Sequence, residues 1–300
     1  MTRSHYGKLA LIFSLSFISL AACVTTQALE PAEATATISP AVTTAVPSPQ
    51  TSATPAPPTA TATLKPPIPS PTAACAQASG EWREDALPHE DGYWDMPFKL
   101  YLPPCYGQDS DQEYPLLILL HGSNGNKEQW PSLNLAETMD ELIAGGMPPF
   151  LIASPTIYNI EGDIFAVSGQ IAKKLPAYIA EHYQFTPGRE VQALGGLSYG
   201  AIWTLRTATL HPEAFAKLGL HSLTGDSPLM ISFSQAMLKL DEKDRPQIFM
   251  DTGEFDEYRW SPQTLDKILT NDGIAHKWLF QPGYHSPAYW QENLPIYLEF

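Results

Sequence analysis

The sequence predicts an α/β fold with a mostly parallel central sheet and helices on both of its faces. Short apolar runs of strand length, such as 115–120 and 150–153, alternate along the chain with segments of helical periodicity. Strands that are buried on both faces have this continuous apolar character. Polar residues follow several of the runs, and such sheets bind ligands at the carboxyl ends of their strands. The alternation therefore predicts parallel strands joined by crossover helices.

The individual elements follow from local patterns. The alternating segment 98–102 is typical of an antiparallel strand. Pro176 either bends the helix around it or marks where that helix begins, because proline lacks the backbone N–H. Further strands are predicted at 115–120, 150–153, from 190 to the following glycines, 215–220, 247–251 and 277–280, and helices at 171–183, after Ser198, and at 229–240, 262–270 and 287–298.

Residues 1–22 have the pattern of a signal peptide. Arg3 and Lys8 precede the apolar run 9–20, as in the charged and apolar regions of a secretory signal. The ending Leu-Ala-Ala-Cys at Cys23 resembles the bacterial lipobox, in which the cysteine becomes the lipid-bearing N-terminus. The alternatives are a plain secretory signal or a retained anchor, although the run is short for a membrane span. We expect an extracytoplasmic protein, lipid-anchored to the bacterial cell membrane.

Residues 23–74 differ in composition from the rest of the chain. Thr, Pro, Ala and Ser predominate and no aromatic residue occurs. Such a segment cannot bury enough apolar surface to offset the entropy of ordering it. We expect a disordered tether here, followed by a single domain at 75–300.

The charge balance limits the partners of that domain. The chain has a formal net charge of −15 at pH 7, and only Glu30 and Glu33 of its acidic residues precede residue 75. Such a surface disfavours nucleic acid and anionic lipid. We expect no nucleic acid partner and no membrane contact other than the lipid anchor.

The chain contains three cysteines. Cys23 belongs to the lipobox, so Cys75 and Cys105 remain as a disulfide pair, which an exported protein allows. No cluster of ligands has the spacing of a metal site. We expect neither a metal nor a cofactor.

The segment Gly196-Leu197-Ser198-Tyr199-Gly200 fits the pattern G-x-S-x-G. In this pattern a strand reverses sharply into a helix, and the turn exposes the serine hydroxyl. Side chains two positions before and after the serine would collide, so glycine is required there. The alternative is an ordinary glycine turn between strand and helix.

A serine nucleophile needs a histidine to accept its proton and a carboxylate to orient that histidine. In folds of this class the acid follows the serine and the histidine comes last. His285 lies in the loop after the last strand and fits this order better than His211, His221 or His276. The segment 251–257 supplies the acid. Asp256 is favoured because a loop carboxylate reaches the imidazole readily; Asp251, Glu254 and Glu257 are the alternatives.

The loop that begins at His121 follows an apolar strand. In this position it supplies one N–H of an oxyanion hole, which we assign to Ser123, together with the N–H of Tyr199. A structural role, in which backbone groups bind the imidazole, is favoured for His121 over a catalytic one.

Together these motifs resemble the esterase D branch of the α/β-hydrolase superfamily, which includes feruloyl and acetyl-xylan esterases, enterochelin esterases and mycolyltransferases. Ala201 departs from it, since relatives often carry glycine there. The matching segments are 119–122 with Trp130, 175–179, 195–200, 211–215, 253–256, and 283–285 with Trp290.

The resemblance implies an α/β-hydrolase fold and a serine esterase that forms an acyl-enzyme. It also favours Asp256, through the pattern G-x-x-D at 253–256. Small-molecule or polysaccharide-linked esters are the expected substrates. An acyltransferase of the same fold and a non-catalytic surface binding protein are the alternatives. Several aromatic residues are candidates for the substrate surface or for the core: Trp130, Tyr158, Tyr199, Trp203, Tyr258, Trp260 and Tyr284.

Overall fold

The computed structural model of the protein describes residues 77–88, 95–157 and 163–300. Contacts divide the chain into two units, 1–66 and 67–300, and every described residue belongs to the second. The predicted signal, Cys23, the tether, Cys75 and Tyr158 lie outside the described residues. None of the described helices has the length and apolar character needed to span a bilayer.

The described chain is built on an eight-stranded sheet with the strand order β1-β2-β4-β3-β5-β6-β7-β8. Strand β2 pairs antiparallel with both of its neighbours, and all the other pairs are parallel. The mostly parallel sheet that the sequence predicts is therefore confirmed. The strands are β1 Glu81–Leu87, β2 Met96–Leu102, β3 Leu116–Leu120, β4 Leu151–Pro155, β5 Gln192–Leu197, β6 Lys217–His221, β7 Gln247–Gly253 and β8 Lys277–Gln281.

Seven α-helices cover the two faces of this sheet within the described residues. Alternate side chains of the strands form two apolar layers. One layer packs against helices α2 to α6 and the other against α1 and α7. The helices are α1 Leu135–Ala144, α2 Ile164–Gly169, α3 Leu175–His182, α4 Tyr199–Leu210, α5 Ser227–Leu238, α6 Trp260–Asn271 and α7 Pro287–Glu299.

The helix predicted at 171–183 is the second part of a longer helical segment. It begins with α2, continues through a π-helical turn at Gln170–Lys174 and ends with α3. Pro176 lies in the first turn of α3, within this continuous helical segment and directly after its π-helical turn. Proline has no backbone N–H, so one hydrogen bond of a regular α-helix is missing here, and the wider π turn accommodates this gap.

Candidate active site

The strand–serine–helix turn has the geometry that its glycines predict. Ser198 lies between β5 and α4 with φ 55° and ψ −116°, a strained conformation for a residue with a side chain. A Cβ atom on Gly196 would lie 2.4 Å from the carbonyl carbon of Gly200. A Cβ atom on Gly200 would lie 2.2 Å from the carbonyl oxygen of Leu120 on strand β3. The first glycine therefore allows the turn to close, and the second allows helix α4 to approach the sheet.

The structure brings Ser198, His285 and Asp256 into one hydrogen-bonded chain. The Ser198 hydroxyl donates to His285 Nε2 at 2.9 Å. His285 Nδ1–H donates to Asp256 Oδ2 at 2.8 Å. The three side chains come from the exits of strands β5, β8 and β7, at the carboxyl edge of the sheet. Residues far apart in the sequence thus meet where the parallel topology predicts.

Asp256 is completely buried, and its carboxylate has three further partners. The Tyr258 N–H donates to Oδ1 at 2.8 Å, and the Thr252 hydroxyl donates to Oδ2 at 3.1 Å. Burial alone would raise the pKa of Asp256. The hydrogen bonds from His285, the Tyr258 backbone and Ser222 outweigh this effect and lower the pKa below its usual value. The carboxylate is therefore held ionised beside the imidazole.

Two aromatic rings fix the plane of the His285 imidazole. The rings of Tyr258 and Trp290 meet it edge to face, with centroids 5.0 and 5.2 Å away. Trp290 is itself anchored by its indole N–H, which donates to the Ser222 hydroxyl at 3.1 Å. Ser222 thus contacts both the aromatic support and the acid. Its place in the site has no signal in the sequence, because it arises from tertiary packing.

Asp251, the alternative acid, binds a different histidine. His221 Nδ1–H donates to Asp251 Oδ1 at 2.7 Å, and the Tyr297 hydroxyl donates to Oδ2 at 2.8 Å. The Tyr297 ring stacks on the imidazole of His221, with the two ring centroids 3.7 Å apart. All three residues are buried. Both carboxylate oxygens of Asp251 are therefore committed to a core network.

His121 is held by backbone groups, as the structural interpretation predicts. Its Nδ1–H donates to the carbonyl oxygen of Gly122 at 2.8 Å, and Nε2 accepts from the Ile157 N–H at 2.9 Å. Burial lowers the pKa of His121, and the two backbone contacts oppose this only in part. The neutral imidazole therefore links the loop after β3 to the residue chain that follows β4 through two hydrogen bonds.

The predicted oxyanion donors lie on two elements next to Ser198. Tyr199 is the first residue of helix α4, at the end of the helix where the dipole favours negative charge. In the β3 loop the Gly122 N–H donates to Gln129 Oε1 at 2.7 Å. The next N–H in that loop is that of Ser123.

A cavity of about 460 Å³ opens over Ser198 and His285. No group of three His, Cys, Asp or Glu side chains that could hold a metal ion occurs among the described residues. The residues that line the cavity are Gly122, Ser123, Gln129, Leu197, Ser198, Thr224, Glu257, Tyr258, His285 and Trp290.

The aromatic residues singled out in the sequence separate into two groups. Trp130 and Trp203 are buried in the two apolar layers and belong to the core. Tyr258, Trp260 and Tyr284 are exposed, and Tyr258 lines the cavity. Phe255, which the sequence interpretation did not select, contacts Tyr284 with ring centroids 5.3 Å apart.

Two curated proteins are similar to part of the chain. The chain is 29% identical over 125 residues to an uncharacterized protein of Corynebacterium glutamicum, covering 38% of this chain and 29% of the relative. It is 26% identical over 204 residues to an endo-1,4-beta-xylanase/feruloyl esterase of Xylanibacter ruminicola, covering 60% of this chain and 27% of the relative. In both alignments the matched region spans less than a third of the relative's length.

Solved structures share the fold at low sequence identity. A ferulic acid esterase superposes with a TM-score of 0.65 at 20% identity, covering 74% of this chain and 97% of its own. The S-formylglutathione hydrolase FrmB of Staphylococcus aureus superposes with a TM-score of 0.60 at 15% identity, covering 73% and 95%. Both likenesses show the fold.

A family model described as Putative esterase matches residues 168–299. The matched segment contains the serine turn, the loop after β7 and the loop after β8. The predicted family resemblance is thereby confirmed. Residues 168–299, with Ser198, Asp256 and His285 among them, carry the pattern of the Putative esterase family within an α/β-hydrolase fold.

Proposed function

We propose that the chain is a carboxylic ester hydrolase that acts through an acyl-enzyme on Ser198. The observation that carries this proposal is the hydrogen-bonded chain from Asp256 through His285 to the Ser198 hydroxyl, at the floor of an open cavity. The family match and the ferulic acid esterase likeness support the same reaction class.

In the first half-reaction Ser198 Oγ attacks the ester carbonyl carbon while its proton passes to His285 Nε2. The histidine then returns this proton to the departing alcohol oxygen as the carbon–oxygen bond breaks. In the second half-reaction a water molecule gives a proton to Nε2 and its oxygen attacks the acyl carbon. The carboxylic acid leaves, and the proton returns to Ser198.

Asp256 acts by orientation and charge. Its hydrogen bond holds the proton on Nδ1, so Nε2 faces Ser198 as an acceptor. Its negative charge stabilises the imidazolium that forms during attack. The hydrogen bonds that keep this carboxylate ionised in its buried position are therefore part of the proposed machinery.

The N–H groups of Ser123 and Tyr199 are the proposed oxyanion donors. The Tyr199 donor also lies at the N-terminus of α4, where the helix dipole favours negative charge. The Gly122 N–H is already bound to Gln129, which leaves Ser123 as the donor of its loop.

A fluorophosphonate probe tests the nucleophile. We expect it to label wild-type protein once, at Ser198, and to leave Ser198→Ala unlabelled. The variant should keep the wild-type circular dichroism spectrum and lose ester hydrolysis by at least a thousandfold in kcat. Labelling of a folded Ser198→Ala protein would assign the nucleophile to another residue. If the wild type takes no label and hydrolyses no ester, the chain is a binding protein. If product analysis in the presence of a sugar acceptor finds the acyl group on the sugar, the chain is an acyltransferase.

We also propose that the enzyme is lipid-anchored through Cys23, with 23–74 as the spacer. This rests on the lipobox and on the composition of the tether. Metabolic labelling with a fatty acid should mark the wild type and not Cys23→Ser. A wild type that is recovered unlabelled in the medium would overturn the anchor and leave the esterase assignment intact.

A further inference from the structure

Glu257 gives the proposed active site a fixed negative charge. Among the described residues that line the cavity, it is the one carboxylate, and neither lysine nor arginine occurs there. Apart from Ser198 and His285, the other polar side chains of the lining are uncharged: Ser123, Gln129, Thr224, Tyr258 and Trp290. The wall therefore offers an incoming ester a negative charge and no permanent compensating positive charge.

The backbone on which Glu257 stands is tightly held. The Tyr258 N–H binds the buried carboxylate of Asp256, and the Arg259 N–H donates to the Asp256 carbonyl oxygen at 3.1 Å. The Arg259 guanidinium donates to the same oxygen, so the nearest cation in the sequence is bound to backbone. The Glu257 side chain itself is exposed and makes no ion pair with a described residue. The loop that carries the proposed acid thus fixes the backbone of Glu257 beside the cavity.

A carboxylate in this position discriminates between substrates by charge. It repels an anionic ester, and this repulsion adds to the field of a chain whose formal net charge is −15. It accepts hydrogen bonds and donates none, so it favours hydroxyl groups on an uncharged substrate.

We propose that Glu257 is a specificity-determining residue that makes the site reject anionic esters and select uncharged, hydroxylated ones. The proposal rests on the ester hydrolase function proposed above. Two unit charges about 7 Å apart in a largely aqueous medium repel each other enough to change the ratio of kcat/KM between anionic and neutral esters by roughly three- to tenfold.

The test uses ester pairs that differ only in charge, one pair for each half of the substrate. For the acyl half, mono-4-nitrophenyl succinate is compared with its methyl ester. For the alcohol half, 4-acetoxybenzoate is compared with its methyl ester. The variants are Glu257→Gln and, as a matched control, Glu254→Gln, an exposed carboxylate of the same loop that does not line the cavity.

We expect Glu257→Gln to raise the anionic-to-neutral ratio of kcat/KM about three- to tenfold for at least one pair, mainly through KM. The gain should shrink at high ionic strength, and Glu254→Gln should change the ratio by less than half as much. An unchanged ratio for both pairs in Glu257→Gln, or an equal gain in Glu254→Gln, would refute the role of Glu257. Failure of the proposed function would be distinct, because the wild type would then hydrolyse neither member of either pair.

Discussion

Asp251 and Asp256 are near neighbours in the chain, yet their hydrogen bonds differ completely. Asp251 binds His221 and Tyr297 in the core, whereas Asp256 binds His285 at the floor of the cavity. Loss of charge at each position should therefore affect a different property of the protein.

Asp256→Asn should lower kcat about 10⁴-fold with little change in fold, because the amide no longer holds the proton on Nδ1 of His285. Asp251→Asn should leave kcat within about tenfold and destabilise the protein by about 2–4 kcal/mol, because it weakens a buried network. Urea unfolding and steady-state kinetics on both variants check this pair. A larger loss of kcat in Asp251→Asn would move the proposed acid to that residue.

His121 should make stability depend on pH. Burial lowers its pKa in the folded protein from the usual value of 6.5, so the unfolded chain binds a proton more readily. The free energy of unfolding should therefore be highest above about pH 6.5 and decline as the pH falls toward the folded pKa. In His121→Asn this part of the decline should be absent, although the variant starts about 1–3 kcal/mol less stable at pH 7 because one backbone group loses its partner.

Urea unfolding at several pH values between 7.5 and 5 measures this difference. His182→Asn is the matched control, because it makes the same substitution at an exposed histidine of helix α3, away from the β3 loop. If the free energy of unfolding declines equally with falling pH in the wild type and in His121→Asn, His121 does not cause the decline.

At the scale of elements, helix α4 approaches strand β3 through Gly200. A methyl group there would lie 2.2 Å from a backbone oxygen, and neither element can yield without moving the serine turn. Gly200→Ala should destabilise the protein by about 3 kcal/mol or more. Gly169→Ala is the control: it adds the same methyl group in helix α2, where nothing lies within 4 Å, and should stabilise by about 0.5–1 kcal/mol.

Thermal unfolding by circular dichroism separates the two glycines. Equal melting temperatures for the two variants would show that the helix can withdraw from the sheet without cost. Retained esterase activity in Gly200→Ala would also contradict the argument, because the same contact positions Ser198.

The elements that the sequence predicts are those with an unambiguous pattern. Strand β3 is a continuous apolar run, since both of its faces are covered. Strand β1 was not predicted, because it lies at the sheet edge and its residues are mostly polar and at least partly exposed. Helix α1 was not predicted either, although Leu135 and Met139, four residues apart, give it a buried stripe. The edge position of β1 and the short amphipathic pattern of α1 therefore give only a weak local signal of secondary structure.

At the scale of the whole molecule, the predicted Cys75–Cys105 disulfide would join the end of the tether to the domain. Cys75 lies outside the described residues, but Gln77, two positions later, has its carbonyl oxygen 3.9 Å from Cys105 Sγ. The bond would close a loop of about thirty residues and stabilise by roughly 3–4 kcal/mol in the chain-entropy model. Reducing agent should therefore lower the melting temperature of the wild type and not that of Cys75→Ser. Alkylation of both thiols without reductant would exclude the bond.

The sequence predicts the three main residues of the candidate site but not the residues that contact them. Folds of this class place the serine first, the acid second and the histidine last, and the family resemblance favours Asp256, so Ser198, Asp256 and His285 could be selected from the sequence. Thr252 and Ser222 could not, because their contacts depend on how loops from different strands pack over the same edge. Local patterns identify which residues can do chemistry, and tertiary packing decides what supports them.

The distance between Ser198 and His285 along the chain also bears on biosynthesis. The two residues are 87 positions apart, and a ribosome adds roughly 5–20 residues per second. The proposed nucleophile is therefore made roughly 4 to 17 seconds before its base. During that interval, and in any nascent chain released before position 285, the serine has no partner to activate it. An ester-cleaving protein of this design cannot act on the contents of the cell that makes it until translation has passed position 285.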